Sequence, residues 1–403
     1  MNSLFDIIAR EVRKDGIIPF ARFMELALYC PVYGYYEKEK DTVGRRGDFF
    51  TSVSVGSLFG ELLAFQFAEW LRPEAGNRKS EVRIVEAGAH DGQLAKDILV
   101  WLRERRAELF RNIEYCIVEP SVRRRKWQEK VLADFGGKIC WAAQLSDLTK
   151  CPQLPSRSST RRKQVSATPI HRERAKEAGV RNPEGVRGII FCNELLDALP
   201  VRRLGWDAKN KWWFEWGVAL KDGQFVWAKI QHPASRITLP VLPEALLDVL
   251  PDGFNTEICP AADQWWREAA GVLRCGKLLT IDYGLTTEGF FMPERSEGTL
   301  RAYYRHRLSK DLLANAGAQD LTAHVHFTAL QAVGESARLK TEQFTTQAQF
   351  LTEIAGRIWR SRADFGEWTS ARARQFQTLT HPEHLGRSFR VLLQSARLTT
   401  PHD

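Results

Sequence analysis

The chain lacks the signatures of several protein classes. Seven cysteines (Cys30, Cys116, Cys140, Cys151, Cys192, Cys259, Cys275) are scattered through 403 residues, an odd number with no CxxC pair, so neither a disulfide framework nor a zinc site is expected. Such usage fits a reducing compartment, and the cytoplasm is the expected location. No run of 18 apolar residues occurs, and Met1 to Val12 is not a basic segment followed by a long apolar one, so membrane insertion and secretion are not expected. A GxGxxG turn is missing as well, which argues against a nicotinamide-dependent oxidoreductase.

The net charge of +9 invites a nucleic-acid reading, but its distribution argues otherwise. Between Pro155 and Arg187, nine Lys/Arg and three Glu leave +6 in one segment rich in Ser, Thr, Pro and Arg and poor in large apolar residues. That composition predicts a flexible surface insertion over 155–187. No aromatic side chains interleave its basic ones, so a solvated loop is expected and a nucleic-acid partner is not.

What is present is α/β patterning around one stretch, Arg83 to Leu94. The apolar run Val82, Ile84, Val85 predicts a buried strand ending at Glu86; Gly88 and Gly92 make a turn, and Gln93 to Glu108 has helical spacing. Such a turn brings bare backbone beside a helix N-terminus, the place where open α/β sheets hold nucleotides. No Lys-Ser/Thr follows it, so a phosphate cradle is disfavoured. An empty tight connection is the alternative.

Further acids recur at the ends of predicted strands. Glu114 to Glu119 is a second strand, and its terminal carboxylate, 31 positions after Gly88, can accept both hydroxyls of a ribose. A short strand near Lys138 to Trp141 leads to Asp147, read either as a contact for an adenine amino group or as the start of the next turn. Gly188 to Asn193 is a buried strand running into Asn193, Glu194 and Asp197, a cluster that is costly unless exposed, paired or used. It can orient a cationic nucleophile; alternatively, Asn193 caps a helix whose first turn carries the two acids. Lys277 to Gly284 is a late parallel strand containing Asp282.

Upstream, helices are expected at Leu4 to Lys14, Phe20 to Tyr29 and Gly56 to Trp70. The loop before the last holds Gly47, Asp48, Thr51 and Ser52, which suit either a pocket lining or a helix cap. Val201 to Ile237 alternates tryptophans around a Lys221-Asp222-Gly223 turn and predicts an antiparallel excursion. A helix from Pro260 to Leu273 is expected to end at Gly276, helices are expected at Thr341 to Arg360 and Phe365 to Thr378, and Arg387 to Leu393 is read as an edge strand. His324 and His326 share the spacing of a metal pair without a third ligand and are read as structural, so no metal is expected.

In order, Tyr33-Gly34-Tyr35-Tyr36, Gly47-Asp48-Phe49 with Thr51-Ser52, Phe59-Gly60-Glu61, Glu86 to Gly92, Glu119-Pro120, Asn193-Glu194 with Asp197 to Val201, Ile281 to Gly284, Gly298-Thr299-Leu300 and Asp320 to Phe327 resemble the MidA-like class I methyltransferases. The resemblance spans roughly residues 16 to 395. It implies an α/β fold, a Rossmann-like sheet with a helical N-terminal elaboration and an inserted antiparallel β subdomain, and S-adenosyl-L-methionine as cofactor. The implied division is residues 1–80 for the N-terminal elaboration and covering loop, 81–200 for the cofactor-binding core, 201–258 for the inserted β region, and 259–403 for completion of the sheet. It places Glu86, Gly88, His90, Gly92, Glu119, Asp147, Gly47, Asp48, Thr51 and Ser52 at the cofactor. Glu194, Asp197 and Asn193 then hold an arginine of a protein substrate, by analogy a respiratory-complex subunit, with Asp48 and Asp282 completing an acidic mouth. His90 departs from the family, which has a further glycine there; this opens a second expectation, a cofactor-binding assembly protein impaired in catalysis.

Overall fold

The computed structural model describes residues 3–38, 51–72, 82–149, 185–230, 242–305, 307–361 and 364–397. Gly47, Asp48 and residues 155–184 of the basic insertion lie outside them.

Three apolar runs build the central sheet: β2 (Val82–Ala87), β5 (Val186–Asn193) and β10 (Leu273–Leu285). Along each, neighbouring residues such as Ile84 and Val85, Ile189 and Ile190, or Leu278 and Leu279 are all fully buried. Successive side chains of a strand point to opposite faces, so this pattern means both faces are covered, the usual condition of a parallel sheet. β3 (Ile113–Val118) and β4 (Ile139–Ala142) extend it in parallel on one side. On the other side β16 (Phe389–Ala396) runs antiparallel between β10 and β15 (Lys340–Thr346), and β14 (Val325–His326) pairs in parallel with the end of β10. The order is β15-β16-β10-β5-β2-β3-β4.

Alternate residues divide cleanly between two cores. Ile84, Ile117, Phe191 and Ile281 face α3 (Leu58–Trp70), α4 (Gln93–Arg105) and α8 (Gln347–Ser361). Val85, Cys116, Ile190 and Leu278 face α6 (Pro260–Val272) and α7 (Phe327–Ser336). α3 is buried from Leu58 to Ala68 except at Glu61, as expected of a helix apolar on nearly all sides and packed also under α9 (Ser370–Thr380).

A second, antiparallel sheet has the order β1 (Ile18–Pro19), β7 (Trp212–Lys221), β6 (Arg202–Asp207), β9 (Asn255–Ile258), with β8 (Gln224–Ile230) also on β7. Lys221 pairs with Gln224, leaving Asp222 and Gly223 as a two-residue turn with φ of 49° and 76°. Both values lie in the left-handed region that type I′ hairpins require, which Asp-Gly tolerates. α1 (Leu4–Asp15) starts with a capping box between Ser3 and Asp6, and with α2 (Phe20–Tyr29) it packs Ile8, Phe20 and Phe23 toward Val218 of β7. A third sheet runs β12 (Arg307–Ser309), β11 (Arg301–Tyr304), β13 (Asp320–Thr322).

Four sequence expectations are corrected. Residues 340–346 form β15 rather than the start of a helix: the run Thr-Glu-Gln-Phe-Thr-Thr is rich in residues that favour strands, and helix α8 begins only at Gln347. β16 is an internal strand, because β15 covers the edge it would otherwise expose. α6 passes directly into β10 at Leu273, three residues before Gly276. Cys116 and Cys140 are register partners on β3 and β4 with Cα atoms 4.6 Å apart, and their sulfurs are bonded as a disulfide. Parallel register set by a crossover leaves no trace in a spacing of 24 residues.

After β4 the chain returns to the far side of β2 to form β5, so the strand order reverses between these two. That switch point leaves a crevice above the carboxyl ends of β2 and β5, where the Gly88 turn and Asn193 emerge.

Candidate functional site

The crevice opens into a cleft of about 2320 Å³ at the carboxyl edge of the sheet, lined on one side by Glu86, Gly88, His90 and Glu119 and on the other by Asn193, Glu194 and Asp197. Gly88 has φ of 77°, and a Cβ there would meet Leu195 Cδ1 at 3.0 Å. Only glycine combines that backbone with so close an approach of the next turn. His90 is also left-handed, at φ 46°, and its half-buried ring reaches the cleft, with Nδ1 3.8 Å from Asp91 Oδ1. Gly92, at φ 91°, is the N-cap of α4.

Two buried carboxyl groups bound the β2–β3 side. Glu86 accepts the Tyr115 hydroxyl at 2.6 Å, and burial pushes its carboxyl up to about 8 against the pull of that bond. Glu119 is 1% exposed; its Oε1 accepts the Ser121 N–H at 2.9 Å and its Oε2 a long 3.3 Å bond from Gln128 Nε2. Burial raises its pKa, opposed first by Arg124, whose Nε lies 3.4 Å away. Gln128, on α5 (Val122–Val131), was not legible as a site residue: fully buried, it also donates to His90 O at 3.0 Å and accepts from Trp141 Nε1 at 2.9 Å. One amide thus ties the glycine turn to the acid at the end of β3. Its only sequence signal is a polar residue on the inner side of a charged helix.

The β5 side is held from behind. Glu194, left-handed at φ 51°, accepts the Ser52 N–H and Asn193 Nδ2, each at 3.1 Å, and burial pushes it up to about 8. Asn193 is 9% exposed, and its Oδ1, in the cleft wall, has no hydrogen-bond partner. Asp282 accepts the N–H groups of Leu195 at 3.2 Å, Leu196 at 2.8 Å and Tyr283 at 2.7 Å. It also hydrogen-bonds the side chain of Asp197, so burial and the neighbouring acid hold Asp282 well above the carboxylate range while burial takes Asp197 to about 7. Two carboxyl groups this close share a proton near neutrality.

Several sequence expectations change place here. Asp282 is fully buried beneath the Asn193–Asp197 turn and supports it rather than completing the mouth of the cleft. Ser52 contributes its backbone N–H to Glu194 while its hydroxyl donates to Gln347, and Thr51 lines the cleft. Asp147 sits on a turn, its N–H on Gln144 O at 3.1 Å; Gln144 and Leu145, not Asp147, line the cleft. His324 and His326 are read as structural; His326 Nε2 lies 3.0 Å from Thr287 Oγ1, and burial drives both imidazoles down to about 4. Among the described residues, Glu114, Cys116 and Cys140 cluster with metal-ligating geometry, where the two sulfurs are bonded to each other. Nor is any described helix long and apolar enough to cross a membrane.

The roof was only partly visible in sequence. Tyr29 and Tyr36 stack with centroids 5.6 Å apart; the Tyr29 hydroxyl donates to Ala198 O at 2.9 Å, and Tyr36 hydrogen-bonds Asp320. Glu37 accepts the Ser121 hydroxyl at 3.0 Å and lies 3.7 Å from Arg124, so the aromatic turn is latched to the segment following Glu119.

Residues 62–345 match the family model described as "Putative S-adenosyl-L-methionine-dependent methyltransferase". The chain is 28% identical over 344 residues to the Drosophila melanogaster protein arginine methyltransferase NDUFAF7 homolog, mitochondrial, covering 83% of this chain and 70% of that one. It is 28% identical over 403 residues to the mouse protein arginine methyltransferase NDUFAF7, mitochondrial, covering 96% and 84%. Its fold matches the crystal structure of a Burkholderia thailandensis protein bound to S-adenosyl-homocysteine with a TM-score of 0.73 and 28% identity, covering 98% of this chain and 92% of that one.

Proposed function

Because the chain belongs to this family of S-adenosyl-L-methionine-dependent methyltransferases, we propose that its cleft directs the methyl group to an arginine of a protein substrate. The residues present fit the cofactor. Gly88 leaves bare backbone at the switch point, and Glu119 offers a buried carboxylate whose Oε2 is only weakly engaged and free to take ribose hydroxyls. When bound, S-adenosylmethionine supplies a methyl carbon on a sulfonium, activated toward displacement.

This chain's own residues supply position and charge. A guanidinium is a planar cation with five N–H donors and keeps its proton at any physiological pH, so a site that uses it must present acceptors and negative charge. The single observation that carries the reading is the Asn193–Asp197 turn: an unpartnered buried amide oxygen beside two acids, all lining the cleft wall next to the Gly88 turn. Glu194, with Oε1 fixed by Ser52 and Asn193, has Oε2 left for one guanidinium edge; Asn193 Oδ1 accepts a further N–H, and Asp197 stands beside them. Asp282, pinned by three backbone N–H groups, stiffens the turn. Much of the rate of a displacement comes from holding nucleophile and carbon in line, so rigidity of this kind has catalytic value. The names of the Drosophila and mouse relatives support arginine as the acceptor.

The test is transfer of labelled methyl groups from S-adenosylmethionine to proteins of a host lysate, followed by acid hydrolysis and separation of amino acids. Methylarginine formed by the wild type and absent with Glu194→Gln is the expected result. Cofactor binding without any transfer, which His90 in place of glycine would permit, indicates an assembly protein that has lost catalysis.

A further inference from the structure

Among the described residues, seven arginines line the cleft, and they fall into two sets. Arg22 is paired with Glu11 and Glu25 at 2.8 Å, Arg124 lies 3.4 Å from Glu119 and 3.7 Å from Glu37, and Arg202 makes a two-pronged pair with Glu215. Arg295, Arg301, Arg387 and Arg390 have no ion pair among the described residues, although Arg301 lies close enough to buried Glu257 to oppose the rise of its pKa. Arg295 Nε donates to Gly289 O and Arg301 Nη1 to Leu300 O, each at 2.8 Å, which leaves most of their N–H groups uncommitted.

The four unpaired cations share one side of the site. Along the sheet, Gly88 follows β2, Asn193 ends β5, β10 comes next and β16 lies beyond it. Arg390 is the register partner of Asp282 on β10, and Arg387 precedes β16 at the same carboxyl edge. Arg295 and Arg301 follow β10; Arg301 lies opposite Thr322 of β13, whose neighbour Ala323 donates its N–H to Asp197 O at 2.9 Å. The cations therefore stand beyond the Asn193–Asp197 turn, on the side away from the glycine turn. Beyond the acids already described, the cleft is lined by Glu25, which is paired with Arg22, by Glu268, which accepts Gln264 Nε2 at 2.6 Å, and by buried Asp320, which Tyr36 hydrogen-bonds. A site for a cationic side chain that is bordered on one side by four arginines with no ion pair among the described residues disfavours a basic peptide. A segment that carries its own negative charge complements that side better than a neutral or basic one.

We propose that the arginine acted on lies in an acidic segment, whose flanking carboxylates dock on Arg295 and Arg301 and on Arg387 and Arg390. This rests on the arginine reading above. Arg-carboxylate contacts at a partly exposed rim are individually weak, so two to four of them acting together give about a tenfold preference, eroded by salt.

The experiment uses labelled peptides with one central arginine flanked by Asp/Glu, by Asn/Gln or by Lys, titrated by fluorescence anisotropy against the full chain saturated with S-adenosyl-homocysteine. The acidic peptide is expected to bind about tenfold tighter than the neutral one at about 0.15 M salt. In the double variant Arg301→Glu/Arg387→Glu the order should reverse, with the Lys-flanked peptide binding better than it does to the wild type. That gain cannot arise from misfolding. Equal affinity for acidic and neutral peptides, or an unchanged order in the double variant, overturns the proposal. Replacing the central arginine by citrulline tests the acceptor separately: acidic preference without dependence on the arginine, and without methyl transfer, leaves the docking surface standing and removes arginine as the acceptor.

Discussion

Glu194→Gln separates function from stability with opposite signs. The substitution keeps the shape of the side chain and an oxygen that can still accept from Ser52 N and Asn193 Nδ2, so the φ 51° turn is retained. It removes the carboxylate that, once ionised, is proposed to face a guanidinium, and turns an acceptor into an amide N–H2 that opposes the substrate's own donors. Breaking one partner of a buried, hydrogen-bonded charge pair costs about 2–5 kcal/mol, or about 30-fold to about 5,000-fold in kcat/KM. Stability moves the other way. Burial raises Glu194 from 4.5 to about 8, so the folded state holds a proton that the unfolded chain has released. The stabilisation is complete below the unfolded value and is lost progressively as pH rises through about 8, a loss that a glutamine does not suffer. The variant should therefore melt at or above the wild-type temperature, by a margin that widens from about pH 5 to about pH 8. Methyl transfer to an arginine peptide at saturating cofactor, alongside calorimetric melting at several pH values, reads both quantities. A variant within threefold of wild-type kcat/KM refutes the guanidinium site; one that melts well below wild type at pH 8 refutes the assigned protonation.

Four other outcomes are expected. Glu119→Ala removes the proposed ribose acceptor and leaves the Ser121 N–H without its partner, and should weaken S-adenosyl-homocysteine by about 10- to about 150-fold in titration calorimetry. His90→Gly relieves a left-handed side chain and should raise stability by about 1 kcal/mol in denaturant unfolding, with cofactor binding undiminished. In wild-type enzyme, kcat/KM for an arginine substrate should rise as pH passes about 7 and about 8, where Asp197 and Glu194 ionise; a profile flat from pH 6 to 9 counts against both as guanidinium acceptors. Thiol titration of denatured protein should give two more thiols after reduction than before it, from the bonded pair Cys116 and Cys140.

What was legible in the sequence is what depends on local pattern. β2, β5 and β10 stood out because strands buried on both faces read as continuous apolar runs, and the Asp222-Gly223 turn because few dipeptides accept two left-handed residues. Acids at strand ends marked the carboxyl edge. What was not legible depends on register and on the third dimension. Asp282 reads as one more edge acid until its bonds to Leu195 and Leu196 turn it into a brace. Gln128 becomes meaningful only when α5 packs its amide between His90 and Glu119. The pairing of Cys116 with Cys140 follows from how far β4 slides along β3, which no spacing rule records. Residues 341–346 read as helix because apolar positions in a short run fit either period, and the arbitrating strand, β16, lies about 50 residues downstream.

The most direct measurement is a crystal structure of the chain with S-adenosyl-homocysteine. The ribose hydroxyls should lie on Glu119, the homocysteine portion along the Gly88–Gly92 turn, and the sulfur should face the side chains of Asn193 and Glu194. An adenosine bound elsewhere in the cleft, or a sulfur turned away from Glu194, contradicts the assignment of both halves of the site.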